Sequence, residues 1–255
     1  MSSQPEVKQS FNLLIICTVL TVVLWFIPYA EYLVYPFRLF VTLVHEVGHA
    51  VAAWISFGSV HRISMDWLGN GVTETSGGIG FLISSAGYLG TTAYGAGMLL
   101  LLRRARLARI AAIVTGSLLL PVTVFFASGW VAVLVGIFFA AGLLLLGLKG
   151  SVKLVWFLMS FLSVQLLLNA FYDLRTLMYL SVFQPAQGTD AQNMAAATNG
   201  FVPALVWAVG WSLVSLGLLT GTLLIYYRSL KQSPQSEVLL IPETGLSKEK
   251  IPLLK

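Results

Sequence analysis

His45-Glu46-Val47-Gly48-His49 is the stretch of this chain whose residue types and spacing point to chemistry. Residues four apart share a helix face, so His45 and His49 aim two imidazoles at one point and can hold a zinc ion. Glu46 lies beside them and can reach a water on that ion. It would take the water's proton as the oxygen attacks a carbonyl, then pass it to the leaving amine. Catalytic zinc takes three protein ligands plus water, so a further carboxylate or imidazole is required.

Four acidic residues lie between Glu46 and the C-terminal tail: Asp66, Glu74, Asp173 and Asp190. Asp66 and Glu74 fall in a polar segment where carboxylates are ordinary. Asp173 ends a long apolar stretch, LVWFLMSFLSVQLLLNAFYDL, with Asn169 and Gln165 one and two turns before it. A polar stripe on an apolar helix should face the inside of a bundle. Asp173 is therefore the favoured third ligand, with Asn169 placed to orient its carboxylate by a hydrogen bond. Asp190 is the alternative. It opens DAQNMAAATNG, where it suits a helix cap as well as a metal. His61, in the polar segment, reads as a surface histidine.

The elements that must carry these residues are membrane spans. The chain has 255 residues, 57 % of them apolar and only 10 % charged. Fifteen Lys/Arg and ten Asp/Glu cannot clothe a water-soluble domain of this length, and no basic face suits nucleic acid. The single Cys17 excludes an intrachain disulfide framework. Apolar stretches near 11–29, 38–57, 80–102, 108–127, 130–148, 153–174 and 202–226 give an all-α polytopic fold of about seven transmembrane helices. Ser128-Gly129 should turn the chain between two of them, and Thr91/Gly95 and Ala93/Gly97 offer small faces for close packing. The spacing over 60–75 predicts a short β-hairpin turning at Gly69-Asn70-Gly71. Residues 1–231 read as one domain, and 232–255 as a flexible polar tail.

Basic residues orient the bundle. With seven spans and the N-terminus outside, Arg38, Arg103, Arg104, Arg106, Arg109, Lys149, Lys153, Arg228 and Lys231 lie inside. Only Lys8, Arg62 and Arg175 lie outside. An integral multi-pass protein of a bacterial inner membrane, N-terminus out and C-terminus in, is the expectation.

HEVGHA at 45–50, SGG at 76–78, SAGYLG at 85–90, NAFYDLRTLM at 169–178 and TDAQNMA at 189–195 together resemble the M50 metallopeptidases. The likeness is to the M50B-like branch related to site-2 intramembrane proteases, over roughly 35–215. It implies that His45 and His49 bind zinc, that Glu46 is the general base and that a distant aspartate completes the site. The family's aspartate stands in an LDG-type motif, which this chain lacks; YDL at 172–174 is the nearest analogue, and Asp190 also matches a family-like position. The resemblance further implies strands beside the site that pair with an extended substrate.

The expected function is a zinc-dependent intramembrane endopeptidase that hydrolyses a peptide bond of a membrane-anchored protein within the lipid bilayer, with no nucleic-acid partner. An inactive M50-like scaffold that binds a partner is one alternative. A metal-dependent transporter is another, although no repeated half with matching broken helices is visible.

Overall fold

The computed structural model describes residues 4–184 and 186–231. The tail at 232–255 lies outside the described residues. In chain order the elements are α1 (Gln4–Phe26), α2 (Glu31–Ile55), β1 (Ser59–Met65), β2 (Gly71–Ser76) and α3 (Gly80–Leu101). They continue as α4 (Leu107–Phe126), β3 (Ala127–Ser128), α5 (Trp130–Lys149), α6 (Val152–Phe183), α7 (Asp190–Ala197) and α8 (Ala204–Lys231).

Five of these helices are long and apolar enough to cross a membrane: α1, α4, α5, α6 and α8. The polytopic helical architecture is as expected. Of the three helices outside that set, α2 and α3 are those that the expectation also counted as spans. Polar residues dilute both: the metal-type motif on α2, and Ser84, Ser85, Thr91 and Thr92 on α3.

Helix α6 is the centre of the bundle. Its 32 residues would extend about 48 Å, well beyond a hydrocarbon core of about 30 Å. Gln165 on α6 is buried and donates to Thr21 on α1 at 2.9 Å, and Ser163 donates to the Gly95 carbonyl of α3 at 2.8 Å. Gly95 lets α3 lie directly on Leu166 and Leu167. The Thr91/Gly95 face is thus an interface, whereas Ala93 and Gly97 point outward.

One end of the bundle is fixed by a cluster of hydrogen bonds. Ser10 near the start of α1 donates to the Leu102 carbonyl at 3.1 Å and meets the Tyr226 hydroxyl at 3.0 Å. Trp156 near the start of α6 donates to the same carbonyl at 2.7 Å. The beginning of α1, the end of α3, the beginning of α6 and the end of α8 therefore share the end that carries Arg103, Arg104, Arg106 and Arg109.

The hairpin forms where expected, and a third strand joins it. β1 pairs antiparallel with β2 and parallel with β3, in the order β2-β1-β3. β3 precedes Gly129, whose φ of 78° makes the expected turn between α4 and α5. Thr42 on α2 donates to the Gly69 carbonyl at 3.1 Å, so the hairpin tip lies along α2. Asp66 tightens that tip by accepting from the Asn70 backbone at 2.9 Å and side-chain amide at 2.8 Å.

Candidate metal centre

Helix α2 carries His45 and His49 on the face that α3 covers. The two helices approach closely because Gly48 has no side chain; a Cβ there would fall 2.6 Å from the Ala86 carbonyl oxygen. Gly48 therefore serves helix packing. Gly87 on α3 does serve the site. A Cβ on it would overlap His45 Nε2 and lie 2.6 Å from His49 Nε2, so both imidazole nitrogens rest over bare backbone.

His49 Nδ1 lies 2.6 Å from the Ile83 carbonyl oxygen. A carbonyl only accepts, so Nδ1 carries the hydrogen and the neutral ring presents the lone pair of Nε2. That lone pair faces Asp190 Oδ2 at 3.3 Å, and His45 Nε2 lies 3.4 Å from the same oxygen. An acceptor nitrogen set against a carboxylate oxygen is unfavourable unless a proton or a metal cation sits between them. Ligand atoms of His45, His49 and Asp190 all lie within 4.8 Å of one another. Two imidazoles and one carboxylate are a donor set that zinc takes in hydrolytic sites.

Asp190 arrives at the start of α7, a short helix in the connection between α6 and α8. Thr189 caps that helix in a reciprocal capping box with Gln192, so the cap that Asp190 could have supplied is made by its neighbour. The Asp190 carboxyl is left free to point at the imidazoles.

Asp173 lines the same cavity, and the charges of His45 and Arg38 act on it, yet it stands outside the three-residue group. Counting from the Leu102–Trp156 contact, Gly87 is about 22 Å along α3 and Asp173 about 26 Å along α6. Asp173 is therefore near the level of the site. The Arg38 guanidinium lies 5.8 Å from the ring of Tyr172 rather than among the basic residues at the other end. Asn169 does not orient Asp173: its amide donates back to the Gln165 carbonyl at 2.9 Å and to Gln165 Oε1 at 3.1 Å.

Glu46 is buried, and its Oε2 accepts from the Thr73 hydroxyl on β2 at 2.7 Å. Thr73 also reaches the Glu46 backbone carbonyl at 3.0 Å. Hairpin and motif helix are thereby locked at the carboxylate. Sequence reasoning missed both Thr73 and Gly87. Thr73 sits in an ordinary alternating strand, and nothing in SAGYLG marks which helix its glycine will face. Glu74 pairs with Arg62, which holds its carboxyl below the ordinary range, and His61 hydrogen-bonds Ser76 at 2.8 Å. Asp66 is also held low; burial is outweighed by its bonds from Asn70. These groups belong to the hairpin.

Histidines, Glu46, Thr73 and both aspartates surround a cavity of about 670 Å³, a volume suited to a ligand or a stretch of peptide. No curated protein and no solved structure matches the chain. The family profile described as Peptidase M50B-like matches residues 14–222. That span holds the histidine pair, Glu46, Thr73, Gly87 and both aspartates. With a His/His/Asp cluster able to hold a metal inside a bundle of apolar helices, the chain belongs to the Peptidase M50B-like family.

Proposed function

We propose that the cluster holds zinc through His45, His49 and Asp190, and that this metallopeptidase cuts a peptide bond of a membrane-anchored protein. The carrying observation is the convergence of two imidazole nitrogens and one carboxylate oxygen over Gly87. It favours Asp190 over Asp173 as the third ligand. Zinc would polarise the scissile carbonyl and acidify a water there. Glu46 accepts the proton of the attacking water and delivers it to the nitrogen of the leaving amine. Thr73 positions Glu46: its donated hydrogen bond occupies one carboxylate oxygen and leaves the other for the proton.

The substrate enters as an extended strand. β2 ends the sheet on its free side, and Thr73 ties that strand to Glu46. A peptide pairing with β2 would run past the reacting centre with its backbone groups satisfied. Such pairing also requires the substrate helix to unwind, which exposes the bond to be cut.

The basic end faces the inside of the membrane, a bacterial inner membrane in this reading, by the positive-inside rule. Both termini of the bundle then lie inside, and the number of crossings is even. Helix α2 joins the far end of α1 to the far end of α3, and it is the helix that makes no full crossing.

The test is Glu46→Gln in the purified full-length protein, assayed against a panel of single-span membrane proteins with bound zinc measured in parallel. Zinc content should stay near that of the wild type while turnover falls by about 10²-fold or more. Unchanged turnover would sink the general-base role.

A further inference from the structure

Tyr88 follows Gly87 on α3 and lines the cavity. Its ring meets His45 edge-on, with centroids 4.6 Å apart, and stacks on Trp211 at 5.6 Å with the planes 19° apart. Trp211 is itself buried and donates its indole hydrogen to Ser85 at 3.1 Å. The phenol is thus held from two sides beside a metal-ligating imidazole. Phenylalanine would make every one of those ring contacts.

The hydroxyl is what the packing leaves unexplained. It forms no hydrogen bond with the described residues and is not sealed off from the cavity. Asp190, Asp173 and Glu46 line the same cavity as Tyr88. A sheltered hydroxyl without a partner is unfavourable, and it gains most from an acceptor that appears beside it. Hydrolysis creates such an acceptor when the trigonal carbonyl becomes tetrahedral.

We propose that Tyr88 is a catalytic residue whose hydroxyl donates a hydrogen bond to the oxyanion of the tetrahedral intermediate. The inference rests on the peptidase reading above. In the first step the water oxygen bonds to the carbonyl carbon, the water proton passes to Glu46, and the former carbonyl oxygen takes the negative charge. That oxygen accepts from Tyr88. In the second step the carbonyl re-forms, the carbon–nitrogen bond breaks, and Glu46 returns the proton to the amine nitrogen. Tyr88 keeps its own proton throughout.

Tyr88→Phe removes one oxygen and keeps the ring. The zinc-loaded full chain in detergent micelles would be titrated with a phosphinic peptide built around a Leu–Leu unit, whose tetrahedral anionic phosphorus mimics the intermediate. The matching amide peptide is the control. The wild type should bind the phosphinic peptide more tightly. The variant should lose roughly a hundredfold of that affinity, while amide affinity, zinc content and unfolding temperature stay unchanged. With a cleavable peptide, kcat should fall and KM hold. Equal phosphinic affinity in variant and wild type would overturn the proposal and reduce Tyr88 to packing. A wild type with no preference for the phosphinic peptide would overturn the peptidase reading, and the Tyr88 role with it.

Discussion

The Thr73 hydroxyl on β2 donates to the Glu46 carboxylate on α2 at 2.7 Å, across 27 residues of sequence. This bond joins the sheet edge to the group assigned as the base. Thr73→Val keeps the shape of the side chain and removes the donor. Turnover should fall by about tenfold with zinc content unchanged, as for other residues that hold a reacting group in place. Thr73→Ser should restore most of the activity. Equal kcat for the valine and wild-type proteins would show that Glu46 needs no such anchor.

Gly87→Ala tests the floor of the metal centre. Alanine in a helix interior is favoured over glycine by about 1 kcal/mol, so the helix itself should not suffer. The added Cβ would instead overlap His45 Nε2 and press on His49 Nε2. Zinc affinity should drop at least about tenfold, read by metal content after dialysis against a weak chelator. Full zinc retention would mean that the imidazoles lie elsewhere in the working enzyme.

The two aspartates separate in one comparison. Asp190→Asn should strip the zinc, because it removes the carboxylate that meets both imidazoles. Asp173→Asn should leave zinc bound near wild-type content, since Asp173 is outside the cluster. The reverse pattern in metal content would return Asp173 to the role of third ligand.

Orientation can be read with single cysteines placed in a Cys17→Ser background. Lys8→Cys and Gln187→Cys should label from opposite sides of sealed vesicles with a membrane-impermeant maleimide. Labelling of Lys8→Cys from the cytoplasmic side is expected, because α1 begins at the arginine-rich end. Labelling of both positions from one side would contradict an even number of crossings.

The helices, the hairpin and the histidine pair were legible in the sequence because each is a local pattern. Hydropathy runs define the apolar helices, alternation around Gly69-Asn70-Gly71 defines the hairpin, and a four-residue spacing puts His45 and His49 on one face. The place of Arg38 was not legible in the same way. A lone arginine before an apolar run looks like a span boundary, but here it sits by Tyr172 at the cavity.

What one dimension could not decide was which distant groups meet. Asp173 and Asp190 were both admissible, because the reach of a carboxylate depends on how the α6–α8 connection folds back. Only packing could select between them: Thr189 takes the capping role at α7, and Asp190 is turned toward the imidazoles. Thr73 and Gly87 gain meaning in the same way, the one by strand register against α2 and the other by the close approach of α3 that Gly48 permits. Local spacing determined the histidine pair and the glutamate beside it. Long-range packing decided their third partner, their anchor and the floor beneath them.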